Sequence, residues 1–207
     1  MMNILLCAAT KMESYAAVSP HHKIDFLITG AGSPSTCFQL ARQFSICLPD
    51  LVIQIGIAGA FDRNLIPGFV VQVSEDTFAD LGAQDADGSF IPLSQLVRQD
   101  TPFGMDIIRP EKRMIVDGIP EVKAITVNKG HGYLPDILHL MDNPHPPDIE
   151  TMEGAAFFAS CMAFDVPCCQ LRSISNLVEP RNRSAWNIPL ALKNLHKSLQ
   201  NAIDQLG

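Results

Sequence analysis

No apolar run in this chain approaches the roughly 20 residues a helix needs to cross a bilayer, so no membrane partner is expected. Positive charge is also in short supply. Fifteen Lys and Arg against 22 Asp and Glu give a net charge of −7, which argues against a nucleic-acid backbone as main partner and leaves only local basic spots for a small anion. None of the six cysteines (Cys7, Cys37, Cys47, Cys161, Cys168, Cys169) forms a CxxC pair, and the six histidines show no metal-ligand spacing. Neither a metal site nor a disulfide framework is expected, and a reducing cytoplasm fits. The run Ile4-Leu5-Leu6-Cys7 superficially resembles a lipoprotein cleavage site, but no basic start precedes it; a buried first strand is the expectation. Internal repeats, low-complexity segments and charge runs are missing as well.

What is present is apolar bulk. Hydrophobic residues make up 47% and charged residues 18% of 207 positions, a balance that packs one soluble domain over residues 1–207 without a covalent staple. Asn3 to Ala9, Phe26 to Thr29, Leu51 to Ile55, Phe69 to Val73, Val122 to Val127 and Pro167 to Ile174 read as strands, mostly continuous apolar runs of the kind buried on both faces. Between them lie helical patterns: Cys37, Leu40, Ala41 and Phe44 after a Ser33-Pro34 start, then Met152 to Phe164. A closing helix capped by Asn187 repeats Leu192, Leu195, Leu199, Ile203 and Leu206 at three- and four-residue spacing. Strands alternating with helices predict an α/β fold with a mixed, largely parallel sheet flanked by helices. Residues 76–118 have no clear period, and 142–147 (Asp-Asn-Pro-His-Pro-Pro) is a loop.

Open α/β sheets bind ligands beyond the carboxyl ends of their strands. Glu13, Gly56 to Gly59, Asn128 and Ser175-Asn176 all follow predicted strands, and Glu153 opens a helix between two of them. Gly30 and Gly32 lack dinucleotide-fingerprint spacing and read as turn glycines, whereas Gly56 and Gly59 suit either a turn or a close approach of backbone to ligand. Glu153 heads a helix of small residues, where a carboxylate can complement the helix dipole. Alternatively, its two oxygens can accept hydrogen bonds from vicinal hydroxyls.

The second reading gains from a resemblance. Met152-Glu153-Gly154-Ala155-Ala156 resembles the ribose-binding motif of the nucleoside phosphorylase and nucleosidase superfamily. Gly56-Ile57-Ala58-Gly59-Ala60 is similar to its glycine-x-alanine-glycine segment, and Arg172-Ser173-Ile174-Ser175-Asn176 to its arginine-x-isoleucine-serine-aspartate motif. Glu13 falls where that superfamily carries a water-activating glutamate, and the order of all four segments agrees along nearly the whole chain. The resemblance implies a single three-layer, nucleoside phosphorylase-like domain that cleaves a purine N-glycosidic bond. Glu13 would then be general base, Glu153 would hold the ribose hydroxyls and Met152 would pack under the sugar; Met152 equally fits plain core. No metal or organic cofactor is implied, and a homo-oligomer (a dimer or higher) is.

Asn176 departs from the methylthioadenosine nucleosidases, which have aspartate there. An asparagine cannot give a proton to adenine N7, but its amide suits the adjacent N7 and O6 of hypoxanthine. The stretch Ser175 to Pro189 resembles the corresponding part of futalosine hydrolases, enzymes of menaquinone biosynthesis that release hypoxanthine from an inosine-like nucleoside with a carboxylated 5′ chain. Arg181 or Arg183 would then meet that carboxylate and Trp186 would pack on its ring. Without the resemblance both arginines read as solvated loop charges and Trp186 as an anchor for the last helix. Ile57 replaces a serine, so any role there is a backbone one, and Asn128 either meets the base or makes an ordinary turn. His131 reads as a loop histidine. Three other readings stay open: a methylthioadenosine/S-adenosylhomocysteine nucleosidase, which Asn176 argues against; a phosphorylase, which Glu13 would disfavour by repelling phosphate although Lys11 is nearby; and a non-catalytic nucleoside binder.

Overall fold

A computed structural model describes residues 1–96 and 102–207. Residues 97–101, part of the aperiodic stretch 76–118, lie outside the described residues. Strand β1 (Asn3–Ala8) runs parallel between β2 (Lys23–Ile28) and β3 (Leu51–Ala60), with α1 (Ser33–Ile46) connecting the last two. There follow β4 (Val70–Phe78), a small antiparallel hairpin of β5 (Gly82–Gln84) and β6 (Phe90–Pro92), a single turn α2 (Leu93–Leu96), and β7 (Glu121–Thr126). Helix α3 (Leu134–Met141), β8 (Ile149–Thr151), α4 (Gly154–Ala163), β9 (Cys168–Leu177) and α5 (Ile188–Asp204) complete the chain.

The seven-stranded sheet has the order β2-β1-β3-β8-β7-β4-β9, and β9 pairs back onto β3. That last pairing curls β3, β8, β7, β4 and β9 into a closed ring, with β1 and β2 as a wing. All its pairings are parallel except β3–β8 and β4–β9. The α/β class and the largely parallel, mixed sheet therefore match the expectation, while the ring closure goes beyond it.

Alternation along the strands builds the layers. Leu5 and Cys7 of β1 join Leu40 and Phe44 of α1 and Phe157 and Phe158 of α4. Their neighbours Ile4 and Leu6 join Leu195, Leu199 and Ile203 of α5 on the opposite face. The periodic stripe read from α5 is thus the face that packs, and Asn187 does cap it, accepting the Leu190 N–H at 3.2 Å. Helix α4 has no polar face, because every residue from Gly154 to Cys161 is buried.

Three local expectations change. Strand β2 is half-exposed because it is the edge of the wing. Ser33 is not the N-cap of α1: Gly32, at φ 87°, takes that position, and the Ser33 hydroxyl donates instead to the Met152 carbonyl at 3.2 Å. Gly56 to Ala60 is not a turn after β3 but its continuation, since these residues pair with Arg172 to Leu177 of β9. No helix among the described residues is long and apolar enough to cross a membrane.

Candidate active site

The loop after β1 turns Glu13 back over the strand ends. One carboxylate oxygen, Oε2, accepts the Thr10 N–H at 3.0 Å and the Thr10 hydroxyl at 2.8 Å, while Oε1 accepts the Ile57 N–H at 3.3 Å. Three donors on a carboxylate that is 8% exposed fix its direction. Ile57 therefore acts through its backbone, as its apolar side chain requires.

Glu153 occupies the N-cap position of α4 yet makes no capping bond. Two threonines do that work: Thr151 accepts the Gly154 N–H at 3.1 Å and Thr126 the Ala155 N–H at 2.7 Å. Released from the helix start, the Glu153 side chain turns toward α1. Its Oε1 accepts the Gly32 N–H at 2.9 Å and its Oε2 lies 3.7 Å from Nη1 of Arg172. The dipole-complementing reading of Glu153 thus loses its geometric support.

Arg172 is among the largest fully buried side chains. A buried guanidinium needs partners, and here Nε donates to Gln170 at 3.0 Å and Nη2 to Gln54 at 2.7 Å, leaving Nη1 for Glu153. Gly56 makes this possible: a Cβ there would collide with Nη1 and stand 3.2 Å from Oε1 of Glu13. The glycine leaves room for Nη1 of Arg172 and Oε1 of Glu13 on the same side of the strand. Arg172 was quoted from sequence only as the first residue of a motif and given no role, although a lone arginine within the apolar run 167–174 is a readable signal of a paired buried charge.

Beneath this cluster Asp76 is fully buried. Its Oδ1 accepts the Thr126 hydroxyl at 2.9 Å and the Thr77 N–H at 2.8 Å, and its Oδ2 has no partner among the described residues. Burial pushes this carboxyl up to about 7, against the opposing pull of the Thr126 hydroxyl and the Arg172 charge. Gly154 accommodates it, since a Cβ there would strike Oδ2.

At the other end of the site a β-bulge re-aims Asn176. Register along β3 and β9 shifts after Ala58, so Ser175 is unpaired and Asn176 stands opposite Gly59. On the other side of Gly59 its partner is Glu150 of β8. The Asn176 carbonyl accepts the Ser175 hydroxyl at 2.7 Å and its amide donates to the Leu177 carbonyl at 2.9 Å, leaving one amide N–H unused. Glu150 binds His131 through both its N–H, at 3.1 Å, and its ring Nδ1, at 2.7 Å. His131 is thus a loop histidine, as read from sequence, that Glu150 holds against the cavity; Glu150 itself was given no role from sequence.

These groups share one cavity of about 560 Å³, a volume typical of small-molecule sites, lined by Glu13, Ile57, Ala58, Gly59, His131, Glu150, Met152, Glu153, Asn176, Arg181 and Trp186 among others. Met152 is 39% exposed, so it forms cavity wall and not core. Arg181 stands over the Trp186 ring at 5.9 Å, a cation–π pair at the rim. Gly56 lies behind the wall under Arg172. Besides Gly56, two expected residues are not brought to the cavity. Asn128 is exposed and tied to Asp80 through its N–H at 2.6 Å and its amide at 2.9 Å, and Arg183 is exposed in a short 3-10 turn, Arg183–Ala185, outside the lining. A second cavity of about 540 Å³ lies over β4 and β7; its walls are largely apolar, including Phe78, Phe90 and Phe103, and Glu75 there is paired with Arg109.

No family model matches the chain. A futalosine hydrolase of Streptomyces coelicolor is 34% identical over 70% of this chain, a match that spans 62% of that relative's length. One of Acidothermus cellulolyticus is 32% identical over 83% of this chain and 71% of its own. Among solved structures, a methylthioadenosine/S-adenosylhomocysteine nucleosidase of Colwellia psychrerythraea in complex with adenine superposes with a TM-score of 0.78, covering 99% of this chain and 96% of that one at 18% identity. At that identity the likeness shows the fold.

Proposed function

The chain belongs to the futalosine hydrolase family, and from that premise we propose that it hydrolyses the N-glycosidic bond of futalosine, releasing hypoxanthine and the dehypoxanthine product in menaquinone biosynthesis. The observation that carries this reading is the pair Glu13 and Glu153, both nearly buried, the second beside Arg172, lining one cavity with Asn176.

Breaking the bond builds positive charge on the sugar and negative charge on the base. Glu13, directed by Thr10 and Ile57, takes the proton of the attacking water, a step worth about 10²–10⁴-fold. Glu153, oriented by Gly32 and Arg172, accepts the ribose hydroxyls, with Met152 under the sugar. The unused amide N–H of Asn176 meets the oxygen or N7 of a 6-oxopurine. Arg181 pairs with the 5′ carboxylate and Trp186 packs on its ring; Asn128 and Arg183 have no part. Phosphorolysis is disfavoured because Arg172 is buried against Gln170, Gln54 and Glu153 and lies outside the cavity lining, as does exposed Lys11. Asn176 disfavours methylthioadenosine as substrate. Water is the only co-reactant required. The same proposal includes one domain over 1–207, a cytoplasmic setting that suits six free cysteines, and a homo-oligomer supported by exposed Phe90, Met105 and Ile107.

Glu13→Gln tests the catalytic assignment. The variant is expected to bind futalosine with an affinity near that of the wild type and to lose at least about 10²-fold in kcat. Full turnover by this variant would remove Glu13 as base; binding without turnover by the wild type itself would make the protein a nucleoside binder.

A further inference from the structure

Asn176 leaves the reaction without an acid. Hypoxanthine departing with the C1′–N9 electron pair is an anion, and an amide can donate a hydrogen bond to it but not a proton. The cavity nevertheless holds a group that can. His131 and Glu150 line it, with the imidazole Nδ1 2.7 Å from Oε2 of Glu150 and the backbone N–H of His131 on the same carboxylate. This pair is neighbour to Asn176 across one residue of β3. Gly59 is flanked by Glu150 on one side and Asn176 on the other, and a Cβ on it would lie 3.4 Å from the Asn176 amide nitrogen and 3.5 Å from Cγ of Glu150. Phe61 braces the imidazole edge-on, with ring centroids 6.1 Å apart.

We propose that His131, oriented by Glu150, is the general acid that protonates the leaving purine. The inference rests on the nucleosidase reading of the same cavity. Glu150 holds the Nδ1 proton, so the proton available for transfer is the one on Nε2, the ring nitrogen that Glu150 does not engage. As the C1′–N9 bond breaks, its electron pair stays on the base and the Nε2 proton of the imidazolium passes to N7. The oxygen of water bonds to C1′ and gives a proton to Glu13. One proton returned from Glu13 to His131 through solvent resets both residues, so the net reaction consumes only water. The neutral imidazole left behind keeps its Nδ1–H on Glu150. Base and acid thus line one cavity, Glu13 held at Ile57 and His131 held by Glu150. Asn176 then serves recognition alone.

The test contrasts leaving groups. On the hypoxanthine nucleoside, His131→Ala should lose about 10²-fold or more in kcat. On the N7-methylated counterpart, whose base departs neutral and needs no proton, its rate should stay within about threefold of the wild type. Glu150→Gln, which preserves volume, should lose about tenfold on the first substrate and little on the second. Retained activity on the methylated nucleoside also reports that each variant is folded. An unchanged rate on the hypoxanthine nucleoside, an equal loss on both substrates, or a loss confined to KM would overturn the assignment. Should the wild type release adenine from methylthioadenosine and nothing from futalosine, the function proposed above fails. The same pair of measurements on methylthioadenosine and its N7-methyl form then decides the role of His131 independently.

Discussion

Nη1 of Arg172 lies against the Cα of Gly56, in space that any side chain at that position would occupy. The same Cα faces Oε1 of Glu13, and the same Nη1 is 3.7 Å from Oε2 of Glu153. One missing methyl group therefore leaves the space that Arg172 occupies beside Glu153. Gly56→Ala should leave the circular-dichroism spectrum unchanged and lower kcat/KM by about 10²-fold, the scale of a displacement near 1 Å in a catalytic group. A variant with wild-type kcat/KM would mean that the position of Arg172 does not matter.

Asp76 gives the protein a pH signature of its own. Its folded value of about 7 stands above the ordinary 3.8, so between those values the folded state keeps a proton that the unfolded chain has released. Stability from this group is greatest at low pH and falls as pH rises from about 4 to 7, by at most about 1.4 kcal/mol per pH unit. Urea unfolding of wild type and Asp76→Asn across that range should show the difference in free energy, wild type minus variant, declining with pH. A difference that stays flat would contradict the buried, proton-holding state of Asp76.

Arg181 and Arg183 differ in what they face, since the first lines the cavity over Trp186 and the second does not. Arg181→Ala should raise KM for the 5′-carboxylated nucleoside about 10- to 100-fold, in line with about 1.5–3 kcal/mol for a hydrogen bond to a charged group. KM for inosine should be unchanged. Arg183→Ala should change neither, and steady-state kinetics on the two substrates decides between them.

The parts of the fold that sequence reveals are those with a strong local pattern. The unbroken apolar runs of β1 and β3 are buried on both faces, and the period of α5 marks its packed stripe. Strand β8 went unseen because three residues carry no period, and α3 because its start at Leu134-Pro135 borders two loops. Ring closure depends on β9 meeting both β3 and β4, pairings between residues far apart in the chain that no local pattern encodes. The site follows the same division. Glu13, Glu153 and Asn176 were found through motifs at strand ends and are gathered in one cavity. Asn128 also follows a strand, but Asp80 claims its amide. Arg172 was read only as part of a motif, because its partners Gln54 and Gln170 become visible only when β3 and β9 pair. His131 was set aside because Glu150, which holds it, is 19 residues away in sequence.

The central claim is hydrolysis of a hypoxanthine nucleoside bearing a carboxylated 5′ chain. The direct measurement is purine release from futalosine, inosine and methylthioadenosine, each with and without phosphate. The account predicts hypoxanthine from futalosine at a rate that phosphate does not alter, with little release from the other two. Adenine from methylthioadenosine, or release that requires phosphate, would contradict it.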